Sequence, residues 1–307
     1  TGLRFNAGIT ALSLTQSDFN YSIYTSSPSK NWPLNSRKNI YFRPMPFKLI
    51  NYLTGFSRPR WSREADTIFF DNIVANSSDE CDIFHGWATF SLKTSKFHKE
   101  KGSKVILDRA CPHILFQESL LTEEAELTNT VYQPVSNQFL DRCLEEYELA
   151  DKIIVPSYYS ASSFINQGFR KEKIQTIRLH ANFIPKGKKV WSSKKSKFVL
   201  GTIGGNPLRK GLIYLVEAWQ NLKLKNATLL IKTSETELKK NTELYKKILK
   251  DDTINIVSYI KNIENFYLDC DLFCLPSIDD GFGLVVLEAM SVGIPVITTK
   301  NVGASEF

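Results

Sequence analysis

The chain has 307 residues, 42% of them hydrophobic, which is enough to build the cores of two domains of ordinary size. Its net charge of +7 and pI near 9.0 favour an anionic partner, a phosphate-rich molecule or a membrane surface. The lysine clusters at 93–104, 186–197 and 239–250 lack the interleaved aromatics of a nucleic-acid groove, no run approaches about 20 apolar residues, and the start lacks a signal-peptide pattern, so the reading predicts a soluble, cytoplasmic chain that binds no nucleic acid.

The first 80 residues carry the weakest patterns: Phe5–Thr15 reads as helix and Tyr21–Tyr24 as strand. From Asp82 onward, strand-length apolar runs alternate with helical patterns: Ile83-Phe84, a helix over Leu92–Lys101, then Lys104–Leu107 and Lys152–Val155. The stretch PKGKKVWSSKKSK, residues 185–197, has no apolar period and reads as a basic linker. The alternation restarts with Phe198-Val-Leu-Gly201, a helix over Leu212–Leu222, then Thr228–Ile231, Ile254–Val257 and Leu272–Leu275. The fold class is therefore α/β: two doubly wound Rossmann-like domains, residues 1–184 and 198–307. Cys81, Cys111, Cys143, Cys270 and Cys274 have no paired spacing, so they read as buried free thiols without a metal.

Two loops of the second domain carry chemistry. In FVLGTIGGNPLRKGLIYLVEAW a strand is followed by Gly204 and Gly205, the bases Arg209 and Lys210, and an amphipathic helix, a place suited to a phosphate. It is neither GxGxxG nor a Walker loop, and a tight turn with two solvated bases is the alternative. In DDGFGLVVLEAMSVGIPVITT, residues 279–299, Gly281-Phe282-Gly283 precede a helix that starts near Gly283 and ends at Gly293, before Pro295. Loops leaving successive parallel strands gather on one edge, so both can face one ligand. Glu288 lies one turn into the apolar helix and needs a buried partner, either sugar hydroxyls or a lysine. In the first domain, His85 ends one strand and Arg109 and His113 follow another, so each faces a cleft or is a satisfied interior group.

Asp280 and Glu288, with seven residues between them, the glycine-rich start and the Gly-Ile-Pro-Val ending resemble the signature of the retaining glycosyltransferases of family 4, which have a GT-B fold. LEEYELADKIIVPSYYSASSFINQGFRKEKIQTI, DIFHGWATFSL and VILDRACPHILFQ resemble that family's first domain. The resemblance implies a metal-independent, cofactor-free transferase that moves a sugar from a UDP- or GDP-sugar to a glycan, lipid-linked or small-molecule acceptor in polysaccharide or glycolipid synthesis. It implies that Arg209 and Lys210 neutralise the diphosphate, that Gly204, Gly205, Gly281, Phe282, Gly283 and Leu284 line the donor, and that Glu288 holds ribose hydroxyls. Asp280 and His85 would meet the donor sugar, Arg109 and His113 the acceptor, and the leaving phosphate would act as base. The chain departs from the pattern in Asp280 for Glu, in Trp87 where a second histidine is frequent, in RLHANF at 178–183, and in ends that look truncated. A non-catalytic sugar-nucleotide-binding relative is the rival reading, and an NAD-dependent oxidoreductase a third.

Overall fold

The fold is taken from a computed structural model that describes residues 14, 17–25, 40–42, 46, 60–181, 183–191 and 197–307. The helix expected over Phe5–Thr15 lies outside the described residues except at Leu14, which is helical, and of the expected linker residues 192–196 lie outside them. In chain order the strands are β1 (Ile23–Thr25), β2 (Ile40–Phe42), β3 (Ile83–Trp87), β4 (Lys104–Asp108), β5 (Lys152–Val155), β6 (Ile174–Thr176), β7 (Phe198–Ile203), β8 (Ala227–Lys232), β9 (Ile254–Val257), β10 (Leu272–Leu275) and β11 (Val296–Thr298). The helices used below are α1 (Arg60–Ala75), α2 (Leu92–Glu100), α3 (Ile114–Leu127), α4 (Asn137–Leu149), α5 (Tyr158–Ile165), α6 (Leu212–Leu222), α7 (Glu235–Lys239), α8 (Thr242–Leu249), α9 (Ile263–Asp269) and α10 (Leu284–Ser291). The chain forms two compact units, Thr1–Ala110 with Val135–Ile154, and Cys111–Pro134 with Val155–Phe307, a division different from one at the basic stretch.

In the first unit β3, β4 and β5 pair in parallel, with Phe84 opposite Val105 and Ile106 opposite Lys152. Val105, Leu107 and Ile153 are fully buried, as strands covered on both faces require. The turn after β3 is held by buried charges from two helices. Asp71 of α1 accepts from the amides of Lys93 (2.7 Å) and Thr94 (3.0 Å), so it caps α2 where Ser91 makes no cap bond. Glu146 of α4 accepts from the amides of Thr89 (2.5 Å) and Ser91 (2.9 Å), which secures Thr89 at the unusual φ of 77°. Arg142 bonds Asp71 and lies 3.9 Å from Glu146.

The second unit has an all-parallel sheet in the order β11-β10-β7-β8-β9. One face packs Leu215, Val216 and Trp219 of α6 with Leu244 and Ile248 of α8 over Leu229 and Ile231. The other packs Phe266 and Tyr267 of α9 and Val286 and Ala289 of α10 over Phe273 and Leu275. The order reverses between β7 and β10, which opens a crevice at the carboxyl ends of those two strands. The described part of the expected linker is docked on this unit. The amides of Lys186 and Gly187 donate to Glu264 (2.6 and 3.0 Å), and Lys189 ion-pairs Asp271 at 3.3 Å.

Gly211 and Gly283 start the helices that follow β7 and β10, at φ of 61° and 81°. A Cβ on Gly211 would lie 2.0 Å from the carbonyl oxygen of Pro276, and one on Gly283 would lie 2.5 Å from Val302 Cγ1.

Two outcomes follow from these contacts. Gly211→Ala is expected to destabilise the chain by about 1–2 kcal/mol from the left-handed backbone alone, and more from the clash. Gly205→Ala, whose Cβ would meet nothing within 4 Å, should be neutral in urea unfolding. Equal midpoints for the two variants would contradict the contact. Burial, with the charge of Asp71 adding to it, raises the Glu146 carboxyl to about 7, against the opposing pull of the two amides and Arg142. The folded chain therefore keeps a proton that the unfolded chain has lost above pH 4.5, and stability referable to Glu146 falls as pH rises from about 4.5 to 7. One retained proton gives a slope of at most about 1.4 kcal/mol per pH unit. Glu146→Gln should flatten that slope, and an unchanged stability–pH curve would refute it.

Candidate functional site

The crevice is lined by the loop leaving β7, residues 204–211, and the loop leaving β10, residues 276–283. Asn206 shapes the first: its side chain accepts from Arg209 N (3.0 Å) and its carbonyl from Lys210 N (3.0 Å). Gly204 lies close under Lys210, whose Cγ would be 2.6 Å from an added Cβ. The second loop is tied to the first by Ile278 N donating to the Arg209 carbonyl at 2.9 Å.

Two bases and two acids meet there. Lys210 Nζ donates to Asp280 Oδ2, with side chains 14% and 13% exposed. Arg209 Nη1 lies 3.9 Å from Asp279 Oδ2; the arginine side chain is 28% exposed and that of Asp279 is fully buried. Burial alone would raise the Asp280 carboxyl, but the charges of Lys210 and Arg209, with hydrogen bonds from Lys210 and the Phe282 amide, hold it below the usual carboxylate range. Burial would lower Arg209, and the carboxylates of Asp280 and Asp279 are among the charges that keep it above its ordinary value. Asp279 is raised, first by burial and further by Asp280, while Gln117, Arg209 and Tyr159 pull it down.

The glycine step is fixed on its far side. The Gly281 carbonyl accepts from Ser157 Oγ (2.6 Å) and Ser160 Oγ (3.2 Å), and a Cβ on Gly303 would lie 2.4 Å from the same oxygen. Phe282 is buried, its ring 6.2 Å from that of Phe307, so only its backbone faces the loop. Gly283 caps α10, whose first turn, from Leu284, brings amide donors and the positive end of the helix to the crevice. Glu288 is buried one turn further on and accepts from the hydroxyl of the fully buried Tyr267 at 2.6 Å. Burial and the Glu288 charge raise the Tyr267 phenol well above its ordinary value, so it stays a donor.

The structure thus brings Gly204, Arg209, Lys210, Asp280, Gly281 and Gly283 to one crevice, with Glu288 behind them. His113 is an interior group: 1% exposed, it caps α3 through Nδ1 (3.3 Å from Leu115 N) and packs edge-on against Phe164 at 4.9 Å. His85 and Arg109 belong to the first unit. His85 Nε2 lies 3.9 Å from Asp108 and the ring 5.0 Å from that of Trp87, while burial lowers the imidazole and raises Asp108 to about 6. Arg109 is buried and its amide donates to Ile154 O at 2.8 Å. The sequence pattern does not single out Asp279, nor Gln117 and Tyr159, which donate to it. The adjacent Asp279-Asp280 pair is its one signal.

Among the described residues no group of His, Cys, Asp and Glu is arranged to hold a metal, and no helix is long and apolar enough to cross a membrane. All five cysteines are free; Cys143, Cys270 and Cys274 are buried, but Cys81 is exposed and Cys111 partly so, a correction to the expectation of buried thiols. Cys81 stands just before β3, with its sulfur 3.4 Å from His98 Nδ1.

Residues 183–307 match the family described as Glycosyl transferases group 1. Over 133 residues, 42% of this chain and 36% of the relative, the sequence is 29% identical to an uncharacterized glycosyltransferase of Haemophilus influenzae. Over 110 residues, 35% of this chain and 29% of the relative, it is 30% identical to the capsular polysaccharide biosynthesis glycosyltransferase CapM of Staphylococcus aureus. The matched stretches thus span about a third of the length of these curated relatives. The crystal structure of Anabaena HepE in complex with UDP and glucose superimposes with a TM-score of 0.59 at 18% identity, over 89% of this chain and 76% of that one. At that identity the likeness is one of fold, an α/β fold with parallel sheets of the GT-B class.

Lys210→Met leaves Asp280 with a weaker counter-charge in a mostly buried place. It is expected to destabilise the chain by about 3 kcal/mol, and Lys210→Met with Asp280→Asn should recover much of that loss in urea unfolding. Additive losses would show that the pair is not coupled.

Proposed function

We propose that the chain is a glycosyltransferase that uses a nucleoside diphosphate sugar and retains the anomeric configuration, as the family 4 resemblance implies. The observation that carries this reading is the placement of Arg209 and Lys210 beside the α10 N-terminus, at the point where the strand order reverses. A diphosphate seated there meets two cations and helix amides. Lys210 would exchange Asp280 for a phosphate oxygen, which releases Asp280 to accept from donor-sugar hydroxyls. Glu288, oriented by Tyr267, would accept from ribose hydroxyls.

In the chemical step the sugar–phosphate bond breaks, and the bases stabilise the charge that develops on the departing diphosphate. A phosphate oxygen takes the proton of the acceptor hydroxyl as the new glycosidic bond forms on the same face. No metal is required in this scheme, because Arg209 and Lys210 supply the positive charge. The acceptor is a glycan or a lipid-linked precursor of one; the name of CapM, a relative over part of the chain, specifies capsular polysaccharide biosynthesis. The net charge of +7 suits peripheral contact with an anionic membrane on its cytoplasmic side.

A thermal-shift panel of UDP, GDP, NAD and intact nucleotide sugars tests the class, since a ligand bound to the folded chain raises its stability. A shift with NAD alone would overturn the reading, and donor hydrolysis or transfer separates an enzyme from a binding relative. Replacing Arg209 and Lys210 together by Ala should weaken the nucleoside diphosphate by about 1.5–3 kcal/mol for each charge-assisted bond lost. Glu288→Gln should weaken the free diphosphate and the intact donor alike, by about 1–3 kcal/mol, whereas Asp280→Asn, which removes the carboxylate competing for Lys210, should hold or tighten the free diphosphate and lower turnover. Calorimetric titration of both ligands decides it: equal losses in both variants would show that the two acids act as one structural unit.

A further inference from the structure

Behind the two bases stands a carboxylate to which the proposed reaction gives no task. Asp279 is fully buried, and each of its oxygens has a neutral donor: Gln117 Nε2 at 2.5 Å on Oδ2 and the Tyr159 hydroxyl at 3.0 Å on Oδ1. Gln117 stands on α3 and Tyr159 on α5, and the Tyr159 ring packs edge-on at 6.0 Å from that of Phe116. The carboxylate is thus a negative point fixed by two helices.

Arg209 is what it faces. The arginine backbone is pinned by Asn206 and Ile278, but its side chain is long and partly exposed, and such a chain has rotamer entropy to lose on binding. The charge of Asp280 also acts on the guanidinium, but its Oδ2 is engaged by Lys210. Asp279 is the carboxylate that stands within ion-pair distance of Arg209, at 3.9 Å.

We infer that Asp279, held by Gln117 and Tyr159, is a positioning residue that orients the Arg209 guanidinium before the donor arrives, without itself touching the diphosphate. This rests on the reading of Arg209 as a diphosphate ligand. A restrained guanidinium loses less freedom when phosphate binds, which is where the gain in affinity arises. Asp279 is a poor residue to mutate for the test, because removing a negative charge beside an anion site also relieves repulsion. Its neutral donors can be altered at constant charge.

Tyr159→Phe and Gln117→Met are therefore made in the full chain, each also in an Arg209→Ala background, and inorganic pyrophosphate, UDP and GDP are titrated by calorimetry. Each variant is expected to weaken binding about tenfold, the low end of what outer-shell partners contribute at metal sites, and to have no effect once Arg209 is Ala. Equal losses in both backgrounds, or no loss in either, would overturn the inference. Two variants on different helices guard against one that fails to fold. If the wild-type chain binds none of the three probes, the diphosphate reading falls, and the Arg209 Nη–H signals in NMR of the ligand-free chain decide the positioning alone. Separate wild-type signals that merge in Tyr159→Phe support it, and a spectrum unchanged by the substitution overturns it.

Discussion

No side chain fits between residue 211 and the carbonyl of Pro276, and the second unit is arranged around that contact. A glycine there lets the loops leaving β7 and β10 run against each other, so that Ile278 N reaches the Arg209 carbonyl and Lys210 reaches Asp280. The sheet order places the two strands side by side. The glycine turns that neighbourhood into contact, and the pairing of acids with bases follows from it.

That pairing leaves the crevice nearly neutral. Two cations alone would repel one another across a short loop; with Asp280 against Lys210 and Asp279 near Arg209, each charge has an opposite within 4 Å. Under the proposed function, an incoming diphosphate would compete with these carboxylates for its cations, and an anion too weak to displace a carboxylate would be disfavoured. The depressed Asp280 carboxyl keeps this competition in force at neutral pH.

What the sequence disclosed was local. The strand at Phe198, the helix over Leu212–Leu222 and the helix starting after Gly283 are written in apolar period, helix formers and glycine punctuation, and each stands where expected. Arg209, Lys210 and Asp280 could be found because they sit in loops whose convergence follows from parallel topology. The donors of Asp279 could not, because they lie 162 and 120 positions away and no pattern links them to it. For His113 the sequence left two readings open, a crevice group or an interior one, because Ser163, Phe164 and Phe169, which pack around it, come from about fifty positions further along the chain. Composition made residues 185–191 look like free linker, while the carboxylate of Glu264, which gathers their amides, is far along the chain.

The peptide between Gly281 and Phe282 is held by its carbonyl, which takes hydroxyls from Ser157 and Ser160. Rotating that plane by half a turn, an inexpensive motion beside most glycines, would here forfeit two neutral hydrogen bonds of about 1 kcal/mol each. Peptide flipping is thereby made costly in this loop. Under the proposed function, the distinction of one sugar from another would fall to side chains around a backbone held in one orientation, and Ser157 and Ser160 hold it from the cap and first turn of a helix well outside the glycine-rich motif.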